Sequence, residues 1–142
     1  MSVPDSDALK QRLIREEGLR LKLYIDTVGK ATIGVGRNLT DVGISQDEAM
    51  VLLNNDLTKV IDGLTVRGVP WFSGLDQVRQ QVCCDMAFNL GLDGFFKFTR
   101  MVQAMARGEF ETAAREMRSS RWAEQVGGRA EVLALMMETG VV

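Results

Sequence analysis

The chain has 142 residues, 46% of them hydrophobic and 25% charged, with few prolines, which suits a soluble globular domain long enough to bury a real core. A formal net charge of -2 supplies no strong field toward nucleic acid or anionic lipid. No histidine occurs anywhere, which excludes His-activated nucleophiles and the commonest zinc ligand sets.

In chain order, the N-terminal "MSVPDSDALKQR" lacks an apolar leader core, and no run of 18 apolar residues follows, so neither an own secretion signal nor a membrane span is expected. A first helix is predicted from Asp5 or Ser6 to Glu17, with Leu9, Leu13 and Ile14 on one face and Gly18 as its stop. "LKLYIDTVGKATIGVG" then alternates like a hairpin, with Asp26 to Gly29 as its turn and Gly34 and Gly36 free to bend the second arm. Ser45 followed by Glu48 is a capping box opening a long helix, marked by Ala49, Leu52, Leu53, Leu57, Val60, Ile61 and Leu64.

Beyond "RGVPWFSG" the pattern is helical throughout. One stripe is Val78, Val82, Met86 and Leu90, and the next is Phe98, Met101, Val102 and Met105. A third carries Phe110, Ala113, Ala114 and Met117, and the tail closes with Leu133, Met136 and Met137. The eight methionines read as core filler. Cys83 and Cys84 are adjacent, so a relaxed bridge between them is unfavourable; they read as small buried apolar residues, and free thiols suit a reducing compartment. The outline is a small α+β lobe over about 15–45, a helix over about 46–64, and a helical lobe over about 65–142 that also takes in the first helix.

Three polar residues near the hairpin invite two readings each. Glu17 closes a helix, where the negative end of the macrodipole disfavours an anion and so favours a carboxyl that keeps its proton; the plain alternative is surface charge. Asp26 opens a turn by bonding its own backbone, or it stays ionised as a base. Thr32 is a β-branched strand residue, or a hydroxyl that holds a water. An acid, a base and a water-holding hydroxyl on one helix–hairpin unit are what inverting glycoside hydrolysis needs.

The stretch "EEGLRLKLYIDTVGKATIGVG" resembles the signature of the phage-type lysozymes, glycoside hydrolase family 24, which includes the T-even bacteriophage lysozyme. The shared pattern is E-G-x-R, then Y-x-D-x-x-G, then T-I-G-x-G. The resemblance implies an α+β, mostly α, lysozyme-like fold spanning 1–142 as a single domain. It implies an N-acetylmuramidase cutting the β-1,4 bond between N-acetylmuramic acid and N-acetylglucosamine, with Glu17 as acid, Asp26 as its carboxylate partner and Thr32 as the water-holding threonine. "ISQDEAMVLLNNDL" is similar to the family's inter-lobe helix, "AFNLG" to its cleft-facing helix end, and "SSRWAEQVGGRA" to its S-R-W…R-A segment. By that match Phe88 and Asn89 line the sugar cleft, and Arg129 reaches Glu17. No cofactor or metal is implied. The partner is the peptidoglycan glycan strand, with no nucleic acid and no stable membrane insertion, and the chain acts as a monomer. Synthesis in the host cytoplasm and action on the wall after holin-dependent release follow for a phage or prophage lysin.

Departures accompany the likeness. Arg37 stands where the family often has histidine, and it is free to bind an aspartate such as Asp41 or the glycan's carboxyl groups. The short "NLTDVG" implies a minimal small lobe and a more open cleft. Met101 and Glu116 fall at positions aligned with polar substrate contacts, and a pI near 5.2 is unlike strongly basic wall enzymes. Two rivals remain: a lytic transglycosylase, which has no use for Asp26 and Thr32, and a non-catalytic glycan-binding relative, which would have lost its acid or base.

Overall fold

The computed structural model describes residues 2–142. It is mostly helical with one three-stranded antiparallel sheet, in the order β1-β2-β3, so the expected α+β class holds. The chain forms two compact units, Met1–Val51 and Leu52–Val142.

In the first unit, helix α1 spans Ser6–Glu17. Asp5 caps it, its Oδ1 accepting from the amides of Asp7 and Ala8 at 3.0 and 3.1 Å. Gly18 ends it at φ 80, its amide bonded to the Ile14 carbonyl. The predicted apolar face is not buried: Leu9 and Leu13 are 43% and 39% exposed, and no residue of α1 is buried. The helix falls in the same compact unit as the sheet. It leads straight into the sheet through Gly18.

The sheet comprises β1 (Arg20–Ile25), β2 (Ala31–Gly34) and β3 (Arg37–Asn38). The predicted hairpin is β1–β2, with Tyr24 opposite Thr32; the short β3 extends it, pairing Arg37 with Ile33. Gly34 and Gly36 permit the tight β2–β3 turn through left-handed backbone, at φ +69 and +66. Helix α2 (Gln46–Arg67) begins in this unit and runs past its expected end near residue 64. Its capping box is formed: the Glu48 amide donates to Ser45 Oγ at 3.1 Å, and the Ser45 amide donates to Glu48 Oε1 at 2.9 Å.

The second unit continues α2 and adds α3 (Trp71–Gly74), α4 (Gln77–Phe96), α5 (Thr99–Ala106), α6 (Phe110–Arg118), α7 (Arg121–Val126) and α8 (Gly128–Thr139). Gly91 breaks the helical path inside α4 with φ 77. The stripes read from the sequence meet in one core: Val82, Met86, Met101, Met105, Ala113, Ala114, Met117, Leu133 and Met137 are all buried, joined by Leu64, Phe72, Phe95 and Trp122. Methionine is core filler at 86, 101, 105, 117 and 137, but Met50 is 46% exposed, and Met1 lies outside the described residues. Cys83 is buried and Cys84 half-buried; both are free thiols, and burial pushes both toward the protonated, unreactive form. Arg79 ties the first turn of α4 to the end of α8. Its Nε and Nη2 donate to the carbonyls of Met137 and Glu138 at 2.6 and 2.9 Å, while its plane stacks over Phe110. Among the described residues no helix is long and apolar enough to cross a membrane.

Candidate active site

The β1–β2 turn is built around Asp26. Its Oδ1 accepts from the amides of Val28 and Lys30 at 3.0 and 2.8 Å, and its own amide donates to the Lys30 carbonyl at 2.9 Å. The turn-forming reading of Asp26 is therefore met by one oxygen. The second, Oδ2, is left for other work, so the two readings do not compete. Asp26 is half-buried.

Thr32, on β2, is 4% exposed and is the one buried polar residue among the described residues. Its Oγ1 donates to the same Lys30 carbonyl at 2.9 Å. The main chain of Lys30 thus fixes both side chains: its amide holds the Asp26 carboxylate and its carbonyl takes the Thr32 hydroxyl proton. Spending that proton inward leaves Thr32 Oγ1 only lone pairs to offer, which makes it an acceptor.

Glu17 is exposed at the last position of α1. Its carboxyl lies against the β2–β3 turn, where a β-carbon built on Gly36 would stand 3.2 Å from Glu17 Oε2. Arg37, next in the chain, does not bind Asp41. It donates to Glu48 Oε1 at 2.9 Å and to the Gly43 carbonyl at 3.2 Å. Asp41 is instead engaged by Lys30 and Asn38, at 3.2 and 2.9 Å. The Arg37 hydrogen bond, followed by the Ser45 amide and hydroxyl, lowers the Glu48 carboxyl to about 2.

In the second unit, Asn89 Oδ1 accepts from the indole of Trp122 at 3.0 Å, so one face of its amide is committed to α7. Phe88 is 45% exposed. It lines a cavity of about 300 Å³ with Leu53, Leu57, Cys84, Asp85 and Arg129. The carboxylate partner the structure gives Arg129 is Asp85, reached through Nε at 3.0 Å and also through Nη2. Sequence reading missed both Asp85 and Trp122. Asp85 follows the cysteine pair and precedes Met86 by one position, which puts it at the edge of a buried stripe; that edge position was the available signal. Met101 is buried, and Glu116 is half-buried beside it along a separate cavity. Among the described residues no group of three or more Cys, Asp or Glu lies together in a way that would hold a metal ion.

The family model described as phage lysozyme matches residues 14–137. The chain belongs to the phage lysozyme family. As a member it is a lysozyme-type glycoside hydrolase. It is 31% identical to the pre-baseplate central spike protein Gp5 of Enterobacteria phage T4, over 94% of this chain and 28% of the spike protein. The lysozyme-family chain thus spans little more than a quarter of that relative. Against a Dictyostelium discoideum protein named "Probable T4-type lysozyme 1" it is 24% identical, over 95% of this chain and 96% of the other. It is 31% identical to an endolysin of Acyrthosiphon pisum secondary endosymbiont phage 1, over 81% of this chain and 77% of that endolysin.

Proposed function

We propose that this lysozyme-family chain is an N-acetylmuramidase that hydrolyses the β-1,4 bond between N-acetylmuramic acid and N-acetylglucosamine in peptidoglycan, with inversion. The observation that carries the reading is the shared anchoring of Asp26 and Thr32 on Lys30. A water placed there donates one proton to Asp26 Oδ2 and the other to Thr32 Oγ1, since that hydroxyl has already given its own proton to the Lys30 carbonyl. Both hydrogens being held, the water's lone pair is left for the anomeric carbon. As the bond to that carbon forms, Asp26 takes the proton as general base. Glu17, from the other side of the glycosidic bond, protonates the departing oxygen.

Strand spacing supports inversion. The Asp26 turn precedes β2, and the turn against which Glu17 lies follows it. The four residues of β2 span roughly 10 Å at the usual rise. Carboxylates based at opposite ends of such a strand leave space for a water, whereas a retaining pair stands only about 5–5.5 Å apart. Phe88 supplies an exposed ring for a sugar face, and Asn89 and Arg129 supply polar contacts to the glycan.

The chain works on the glycan strand as a single lysozyme-like domain, as a monomer, without cofactor or metal. Likeness to an endolysin favours a phage or prophage lysin made in the host cytoplasm and released to the wall through a holin. Likeness to the spike protein favours a second setting, a wall-cutting module carried on a virion. Proton NMR of the fresh reducing end tests the mechanism on purified peptidoglycan: α-configured product should appear first, and β-product appearing first would overturn inversion. Asp26→Asn, which retains the Oδ1 acceptor and hence the turn, should abolish most turnover while the glycan still binds.

A further inference from the structure

The β2–β3 turn holds two glycines at nearly the same positive φ, Gly34 at +69 and Gly36 at +66. Their surroundings differ. A β-carbon added at Gly34 would meet nothing within 4 Å, whereas one at Gly36 would stand 3.2 Å from Oε2, 3.5 Å from Cδ and 3.6 Å from Cβ of Glu17. Backbone geometry alone therefore explains Gly34, while Gly36 has a second reason to lack a side chain.

The Glu17 carboxyl lies against the turn at Gly36. The nearby cation is spent elsewhere, since Arg37 donates to Glu48 and to the Gly43 carbonyl. Those two bonds also tether the turn to the start of α2, so its surface is a fixed wall. On the other side, Gly18 terminates α1 immediately after Glu17. The acid thus sits at a helix end with its carboxyl against the turn. We infer that Gly36 is a positioning residue for Glu17: the missing β-carbon lets the carboxyl lie against the turn, and any side chain there pushes the acid off its line to the glycosidic oxygen. The inference rests on Glu17 being the proton donor.

The test is a matched set read with soluble glycan fragments. Gly34→Ala and Gly36→Ala each put a side chain at a positive φ that L residues rarely adopt, so both should lower the melting temperature. Displacing the acid by a few tenths of an ångström should cost Gly36→Ala about tenfold in kcat with KM little changed, while Gly34→Ala keeps a kcat near the parent's. Gly36→Asn separates strain from positioning, because asparagine tolerates left-handed backbone. It should melt closer to the parent than Gly36→Ala yet lose at least as much kcat. In a Glu17→Gln background, Gly36→Ala should cost no more kcat than Gly34→Ala. Equal kcat losses for the two alanine variants, or parental kcat in folded Gly36→Asn, would overturn the inference. Parental turnover by Glu17→Gln alone would instead overturn the acid assignment beneath it.

Discussion

The two units of this molecule are stabilised in different ways. Among the described residues every buried apolar side chain belongs to the second unit, from Leu64 onward, and methionine and alanine make up much of that core. Among the described residues the first unit contains one buried residue, and it is polar: Thr32. In place of a core it has side chains bonded to main chain, with Asp5, Asp26, Thr40, Asn38, Ser45 and Glu48 all capping or closing turns. The candidate acid, base and water-holding hydroxyl all lie in this uncored unit. Hydrogen-bonded turns set side-chain direction residue by residue, which suits chemistry that depends on where a lone pair points. Packing sets volume, which suits a scaffold.

This contrast can be broken experimentally. The largest effect should come from Glu17→Gln, which removes a transferable proton from an exposed side chain. Turnover on purified peptidoglycan should fall by roughly 10²–10⁴-fold with the melting temperature unchanged, while Glu16→Gln leaves both alone. The converse variant is Met117→Ala in the second unit's core. It should cost about 2–5 kcal/mol in denaturant unfolding, yet the folded fraction should keep its rate at low temperature. Should Met117→Ala damage rate without stability, the division of labour is wrong.

Thr32→Val lies between these cases, because Thr32 is both buried and part of the site. Losing its bond to Lys30 should cost about 1 kcal/mol, and the rate should fall less than in Asp26→Asn, since Asp26 still holds the water. A Thr32→Val enzyme of unchanged rate would return Thr32 to the role of a strand residue. The smallest effect concerns acid. Glu48 titrates at about 2 when folded, against an ordinary 4.5. A depressed carboxyl stabilises the folded state fully above its unfolded value, and that contribution is lost as pH falls from about 4.5 toward 2. The melting-temperature gap between the parent and Glu48→Gln should therefore be widest near neutrality and close across that window.

How much of this was legible in the sequence follows the same division. The Ser45–Glu48 capping box and the Asp26 turn were readable because partners three or four residues apart obey local rules. The core stripes were readable because helical period betrays burial. Arg37 was misjudged because Glu48 had already been assigned to the cap, and one carboxyl oxygen serves both the Ser45 amide and the guanidinium. The α1 helix was legible in its bounds and its cap but not in its burial, because periodicity reports which positions share a face and not how deep they lie. The Asp85 partner of Arg129 lies 44 residues away on another helix, a pairing that only the packing of α4 and α8 creates.

Arg79 gives the second unit a seam. Its guanidinium sits in the first turn of α4 and holds the last carbonyls of α8, 58 and 59 residues later, with Phe110 as a washer between. The helix array is thereby fastened early-to-late, like a belt whose buckle is one side chain. Such a contact closes a long loop, at an entropic cost that grows slowly with its length. A lesion at either end is then felt at both: losing the final turn of α8 leaves Arg79 with Asp76 and Phe110 alone, and losing the cation frays the final turn.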